Sequence, residues 1–299
     1  MNSTPKTPSV IDYEGSDYQD KFWQKGGRDY EDGAEQMALR KLLPSGGRHL
    51  LELGAGAGRN TPRYHGFKRV TLLDYSSTQL KQAIQRLGLQ ERYRFVAADV
   101  YRLPFAPRVF DAATMIRTLH HLSEPHIALQ QTRQCLADEA VFLLEFANKR
   151  NFKSILRYWL GRQAWSPFNP EAVEFVKLNF DFHPASVRAM LANAGFSVEK
   201  QVSVSFLRAE FFKRIMPLKL MLAKEAFLQA AASWTSLSPS VFLRCNASGE
   251  STQPFIESAF FRCPACGHYP LADTPPKLTC AQCGQVYYFK DGIYDFRLK

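Results

Sequence analysis

The stretch that most constrains this chain is "LLELGAGAGRN", residues 50–60, in which an apolar run enters a turn carrying Gly54, Gly56 and Gly58. "RHLLEL" before the turn reads as a buried strand, and "RNTPRYHGF" after it as a short helix. A strand handed to a helix through glycines exposes backbone N–H groups and lets a ligand approach the main chain closely. The spacing here is G-x-G-x-G. The nicotinamide fingerprint G-x-G-x-x-G needs its third glycine at position 59, where Arg59 stands. Glycines also serve tight turns that bind nothing, so the rest of the chain has to decide.

The segments that follow alternate in type. "KRVTLLD" reads as a second strand ending at Asp74, and the next helix is capped in the Ser76–Ser77 region. "YRFVAAD" ends a third strand at Asp99, "VFDAATMI" is a fourth followed by "RTLHHL", and "AVFLLEFA" is a fifth. "EPHIALQQTRQCLAD" is helical, with Cys135 read as packing. This alternation predicts an open α/β sheet with its ligand at the C-terminal ends of the strands. Asp74 lies twenty residues after Gly54 at a strand tip, where a carboxylate can accept both hydroxyls of a ribose.

Together, "LLELGAGAGRN", the Asp74 tip, "AADVYRLPF" and "FDAATMIRTLHHL" resemble the class I S-adenosylmethionine-dependent methyltransferases, in that family's order and over about residues 45–145. The resemblance implies a Rossmann-like α/β sheet of seven strands whose last strand inserts antiparallel beside the fifth. "FSVEKQVSVSF" and "SPSVFLRCN" are the candidates for the final two strands. It also implies that Gly54 and Gly56 lie under the methionine portion of the cofactor, with Glu52 organising the loop or the amino group. Asp74 would hold the ribose diol, Tyr75 would lie against the adenine, and Asp99 would accept from the adenine's amine. Val100 would offer the adenine a backbone N–H, and Arg117 would line the wall between cofactor and acceptor. A dehydrogenase would need the other glycine spacing and a second catalytic domain. A non-catalytic binder of the same cofactor remains open, because methyl transfer from a sulfonium demands mainly alignment.

Candidate bases are few. His120 and His121 follow the fourth strand, where the family lines its acceptor site, and His183 opens the helix "PASVRAMLANAGF". "IRTL" at residues 116–119 is not the Asn/Asp-Pro-Pro-Tyr/Phe of enzymes that methylate the exocyclic amines of bases, and the Pro-Cys of cytosine-C5 enzymes is missing. A DNA acceptor is therefore not expected.

Charge and insertions bear on the acceptor. The net charge is +10, but residues 1–35 hold eight acids and four bases (−4), which leaves +14 on residues 36–299. Residues 149–163 carry five basic residues and no acid, and residues 200–224 carry six and one. Such stretches suit nucleic acid, anionic lipid or acidic small molecules, or simply a solvated face on helices packed on their other side. Insertions at 148–182 and 207–238 are both apolar and basic, and are read as caps over an acceptor pocket. On "FKSILRYWL", Phe152, Leu156 and Trp159 fall on one side while Lys149, Lys153 and Arg157 fall on another. A helix that completes the core is the leading reading, with a membrane surface as an alternative. By the same resemblance, Tyr18, Phe22, Trp23 and Tyr30 form a lid. No run of eighteen uncharged apolar residues occurs, and "MNSTPKTPSVIDYEG" lacks a signal-like apolar core, so a cytoplasmic enzyme is expected.

After the linker-like "NASGESTQPFIES", Cys263, Cys266, Cys280 and Cys283 form C-x2-C-x13-C-x2-C. Two such pairs on tight turns can converge tetrahedrally on a structural zinc. The tail "YYFKDGIYDF" resembles the small zinc-ribbon partner that activates methyltransferases of transfer RNA, ribosomal RNA and release factors. The expected organisation is a methyltransferase domain over residues 1–250 and a zinc ribbon over 259–299. A small or lipid-like acceptor is favoured because the insertions can enclose one. RNA or a translation factor is the alternative.

Overall fold

In the computed structural model the described residues are 14–15, 27–248 and 259–298. Ten strands form one sheet in the order β10-β11-β12-β3-β2-β1-β4-β5-β9-β8. The centre is parallel: β1 (Gly47–Leu53) pairs with β2 (Phe67–Asp74) on one side and β4 (Phe110–Met115) on the other. β3 (Tyr93–Ala97) follows β2, and β5 (Leu136–Ala147) follows β4. Leu50, Leu51, Leu53, Val70, Leu72, Leu73, Val96 and Ala113 are buried, as strands covered on both faces require. Strand order reverses at β1, so a crevice opens beyond the C-terminal ends of β1 and β4.

Helices α2 (Ser77–Leu87), α3 (Pro125–Cys135) and α5 (Pro184–Asn193) supply the crossovers, and Ser76 caps α2 by accepting from the Gln79 N–H. β8 (Phe196–Val204) and β9 (Ser240–Ala247) are the two strands expected from "FSVEKQVSVSF" and "SPSVFLRCN". β9 runs antiparallel between β5 and β8. The segment after the glycine loop is only one 3-10 turn, Thr61–Tyr64.

The seven-stranded sheet gains three strands from the cysteine-bearing segment. β10 (Lys277–Thr279), β11 (Val286–Lys290) and β12 (Ile293–Asp295) form a meander, and β12 pairs in parallel with β3. Phe261, Leu271, Leu278, Tyr287 and Phe296 belong to the same core cluster as Val96, Phe105 and Phe110. The edge of β3 is thus covered by backbone pairing as well as by side chains.

At the C-terminal end of β5, the first insertion holds α4 (Phe152–Trp159) and the hairpin β6 (Val173–Val176)–β7 (Asn179–Asp181). The second holds α6 (Glu210–Ile215) and α7 (Leu218–Ala231). α7 packs against α1 (Asp29–Leu42). Glu225 of α7 is buried and accepts from the Tyr30 hydroxyl (2.5 Å) and the Ser205 N–H (2.7 Å), which ties this cap to α1. α4 does not complete the core as expected. It buries only Ser154 and Ile155, and its apolar side faces solvent. No helix among the described residues is long and apolar enough to cross a membrane.

Candidate active site

The glycine loop closes the crevice at the end of β1. Gly54 has φ +67°, and a Cβ there would lie 2.1 Å from Thr118 Oγ1, so no side chain fits. The Gly56 N–H donates to Asp74 Oδ2 (2.8 Å) and the Ser76 N–H to Oδ1 (2.9 Å). Asp74 therefore bridges the loop and the start of α2, and its carboxylate keeps lone pairs for further donors. The cavity wall includes Glu52, Gly54, Gly56, Asp74, Tyr75, Val100, Arg117 and His121. Asp99 is the one expected cofactor residue off that wall. Its Oδ1 accepts from the Tyr101 N–H (2.9 Å) in a turn at the end of β3, and burial raises its carboxyl.

Glu52 is buried beneath the loop. Burial pushes it up to about 7, although Thr61 Oγ1 donates to it at 2.6 Å and the Tyr64 hydroxyl at 3.3 Å. A carboxyl on the cavity wall that titrates near neutrality is poised to gain its charge when a cation arrives.

A polar network that the sequence did not disclose lies beside it. Buried Glu35 of α1 accepts from Arg117 Nε (2.5 Å) and pairs with Arg59 (2.5 Å). Burial would raise Glu35, but the two guanidiniums outweigh it and hold the carboxyl below its ordinary value. Arg59, the residue that broke the nicotinamide spacing, also pairs with Asp32. Arg117 adopts φ +55°, and its N–H donates to Glu145 Oε2 (2.8 Å). Glu145 is buried and receives the Ser240 hydroxyl at 2.5 Å. A left-handed non-glycine residue at a strand end, held from both sides, is backbone strain retained at a site. The signal available in sequence was Arg59 itself; Glu35 and Glu145 come from distant elements and left none.

The histidines separate into different roles. His120 and His121 have ring centroids 4.0 Å apart, but only His121 is on the cavity wall. Its Nδ1 lies 3.3 Å from the Leu178 C=O of the β6–β7 hairpin, and burial lowers its pKa. His120 is lowered well below the ordinary value, first by burial and then by His121, Arg117 and Arg208. Its Nδ1 has no partner among the described residues. Nearby Asp181 is raised to about 6 by burial, against the pull of Arg208. His183 is a helix cap, its Nδ1 accepting from the Ala185 N–H at 3.2 Å. Tyr30 is buried against Glu225 and does not lie over the cavity, while Tyr18, Phe22 and Trp23 fall outside the described residues. Lys149 precedes α4 and is buried, its Nζ donating to the Glu171 C=O (2.5 Å), so it is not part of a solvated basic face. Cys135 is buried, and its thiol is pushed up to about 12 by that burial.

The sulfur atoms of Cys263, Cys266, Cys280 and Cys283 all lie within 4.8 Å of one another. Cys263–Cys283 and Cys266–Cys280 are each 3.7 Å apart. Four ligands about 2.3 Å from one ion at tetrahedral angles require sulfurs about 3.8 Å apart, so the cluster has the dimensions of a metal site.

A mostly parallel Rossmann-like sheet with a glycine loop, an acidic second strand tip and an antiparallel penultimate strand defines the class I methyltransferase architecture. Residues 51–144 match the family of methyltransferase domains. The chain is 28% identical over 181 residues to the demethylmenaquinone methyltransferase of Chlamydia pneumoniae, covering 55% of this chain and 76% of that protein. It is 22% identical over 148 residues to the malonyl-[acyl-carrier protein] O-methyltransferase of Legionella pneumophila, covering 48% and 50% respectively. Among solved structures, a chain of the complex between the Haloferax volcanii Trm112 methyltransferase activator and a methyltransferase superposes with TM-score 0.55 at 15% identity, covering 78% of this chain and 96% of that one. An S-adenosylmethionine-dependent methyltransferase from Listeria monocytogenes gives 0.53 at 15% identity, covering 74% and 99%. These matches indicate a methyltransferase, S-adenosylmethionine-dependent by family.

Proposed function

We propose that the chain transfers a methyl group from S-adenosylmethionine to a small, lipid-like acceptor, and that it acts in the cytoplasm. The observation that carries this reading is the cavity between the Asp74 tip and the Arg117–His121 wall, with an apolar insertion hinged on His121. The residues present fit the cofactor: Gly54 and Gly56 bring the loop backbone to the cavity wall, and Asp74 and Glu52 present carboxylate oxygens on that wall. Asp74 would take the ribose hydroxyls, Tyr75 the adenine face, and Glu52 the amino group. Asp99, off the cavity wall and bonded to the Tyr101 N–H, is given no cofactor contact, and Val100 on the wall keeps the adenine side. S-adenosylmethionine brings an already activated methyl on a sulfonium, so this chain's work is alignment and water exclusion. Arg117 fixes the wall, and His121, kept neutral by burial, takes a proton if the acceptor must lose one. His120 stands behind it as a positioning residue.

Cys263, Cys266, Cys280 and Cys283 would hold a structural zinc, because four protein ligands leave no open position for chemistry. The ribbon resembles an activator partner and would brace the cofactor site in cis. The similarity to enzymes named for demethylmenaquinone and malonyl-[acyl-carrier protein] supports a small or lipid-like acceptor over RNA. Burial of Lys149 also removes one charge from the basic face that an RNA reading used. Incubation of labelled S-adenosylmethionine with fractionated lysate tests the reading. Label is expected in the organic extract, and His121→Ala should lower turnover by about 100-fold while S-adenosylhomocysteine affinity holds. Label in RNA, or in protein in a form that thioester cleavage does not release, would overturn it.

A further inference from the structure

The first insertion carries a cluster of apolar side chains in solvent. Phe152, Leu156 and Trp159 repeat at helical spacing on α4 and are 62%, 44% and 71% exposed. Phe175 and Val176 of the β6–β7 hairpin are 51% and 67% exposed. Ring contacts join these pieces. Tyr158 meets Phe168 at 6.3 Å and Trp165 meets Phe175 at 5.5 Å, so helix, loop and hairpin pack against one another, and Tyr158 and Phe168 are themselves 37% and 44% exposed. Scattered exposed hydrophobes need no explanation, but a contiguous set marks a surface that contacts something apolar.

Charge says what. Lys153, Arg157 and Arg162 are exposed along the same segment, Lys177 sits at the hairpin turn, and residues 149–163 contain no acid. The acids of residues 152–178 are Glu171 and Glu174, both exposed, so against Lys153, Arg157, Arg162 and Lys177 the segment keeps a net charge of +2 (four cations less two anions). Apolar and aromatic side chains interleaved with cations match the boundary of an anionic bilayer, where rings enter the headgroup layer and cations meet lipid phosphates. The face also runs into the active site. Leu178, in the hairpin turn, has its C=O 3.3 Å from His121 Nδ1, and His121 lines the cavity.

We propose that residues 152–178 form a docking surface for an anionic lipid bilayer and pass a lipid-like acceptor from it to the His121 side of the cavity. The delivery step rests on the lipid-like reading of the acceptor; docking stands on the surface alone. The test is co-sedimentation of the full chain with phosphatidylcholine vesicles, with and without phosphatidylglycerol. Binding is expected to the anionic vesicles. It should weaken roughly tenfold or more in Lys153→Gln/Arg157→Gln and be lost in Trp159→Glu/Val176→Glu, with S-adenosylhomocysteine affinity unchanged in both. Docking is overturned if the wild type ignores both vesicle types, or if both variants bind like it. It is equally overturned if bulk transfer RNA binds saturably while vesicles do not, or if Trp159→Glu/Val176→Glu only dissolves a dimer. A parallel assay offers labelled S-adenosylmethionine and detergent-dispersed lipid extract. Label in lipid without vesicle binding removes docking and keeps the acceptor reading, and vesicle binding without label does the reverse.

Discussion

The two flanks of the sheet carry similar aromatic-rich sequence and treat it in opposite ways. Beside β3, Phe260, Phe261, Tyr294 and Phe296 close on Phe105 and Phe110, with Phe261 fully buried and 4.8 Å from the Phe296 ring. Beyond β5, Phe152, Trp159 and Phe175 stand in solvent. The difference lies in the backbone. β12 extends the sheet from β3, and the Ala106 N–H donates to the Phe260 C=O (2.9 Å), so each ring arrives on a chain already fixed in register. The insertion pairs mainly with itself through β6 and β7, hydrogen bonds from Phe182, Lys149 and Phe152 tether its ends, and between them it is held at single carbonyls, Pro170 by the Ser186 hydroxyl and Leu178 beside His121.

The comparison is sharpest at single aromatic side chains. Phe261→Ala should cost about 3–5 kcal/mol, the range for truncating a large buried ring. Trp159→Ala should stay within about 0.5 kcal/mol, as exposed positions do. Denaturant unfolding of the two variants checks this, and equal losses would break the distinction between the flanks.

Next in size is the cofactor end. Asp74→Ala removes the proposed ribose acceptor and also frees the Gly56 and Ser76 N–H groups. A charge-assisted hydrogen bond of this kind contributes about 1.5–3 kcal/mol, so S-adenosylhomocysteine affinity should fall about ten- to a hundredfold by calorimetry. The same assay on Trp159→Ala should show no change.

Acid should find the ribbon flank first. His49 lies between Phe110 and Phe260, with its ring stacked on Phe260 at 5.2 Å. Burial pushes it down to about 3, helped by Arg94 and Arg69 and opposed by Asp111. A histidine whose folded pKa is depressed contributes stability that is whole above the unfolded value of about 6.5 and is lost as pH falls toward 3. Glu52 and Asp181, both raised, change in the opposite sense over the same range, so the measurement is a difference. Between pH 7.5 and pH 5, wild type should lose at most about 2 kcal/mol more than His49→Leu. Parallel pH profiles for the two proteins would remove His49 from the account.

What could be read from the chain follows the same divide. The glycine loop, the strand tips at Asp74 and Asp99 and the final strand pair were legible because strand–turn–helix chemistry is local. Arg59 was visible only as a mismatch, since its partners Asp32 and Glu35 come from a helix well upstream. Glu145 looked like one more residue of an apolar strand until Arg117 and Ser240 were brought to it. The cysteine spacing announced that the four thiols would converge, and their sulfurs lie within 4.8 Å of one another, but not that β12 would extend the sheet, because pairing in parallel with β3 leaves no periodic mark. The hydrophobic repeat of α4 was legible too; which side would be covered depended on the rest of the fold.

The smallest expected effect is the most specific to the ribbon. Arg297, just past β12, donates to the Tyr75 C=O (3.3 Å) and has its guanidinium 5.9 Å from the Tyr75 ring. It also pairs with Asp295 (2.7 Å) and lies 3.6 Å from Glu14, which accepts from the Ser77 N–H at the start of α2. Tyr75 is on the cavity wall, so the cysteine-bearing segment reaches the side of the site proposed for the adenine through Arg297. A neutral backbone acceptor and a distant ring offer modest energy. Arg297→Ala should weaken S-adenosylhomocysteine about three- to fivefold, or about 0.6–1 kcal/mol, with no change in melting. Arg297→Lys should recover little of it, because an ammonium cannot reproduce the planar fork. If the four cysteines hold the proposed zinc, a chelator, or Cys280→Ser, should weaken cofactor binding at least as much, by releasing β12. If Cys280→Ser proves neutral for cofactor affinity while Arg297→Ala does not, Tyr75 is positioned by the tail alone and the ribbon's metal has no part in it.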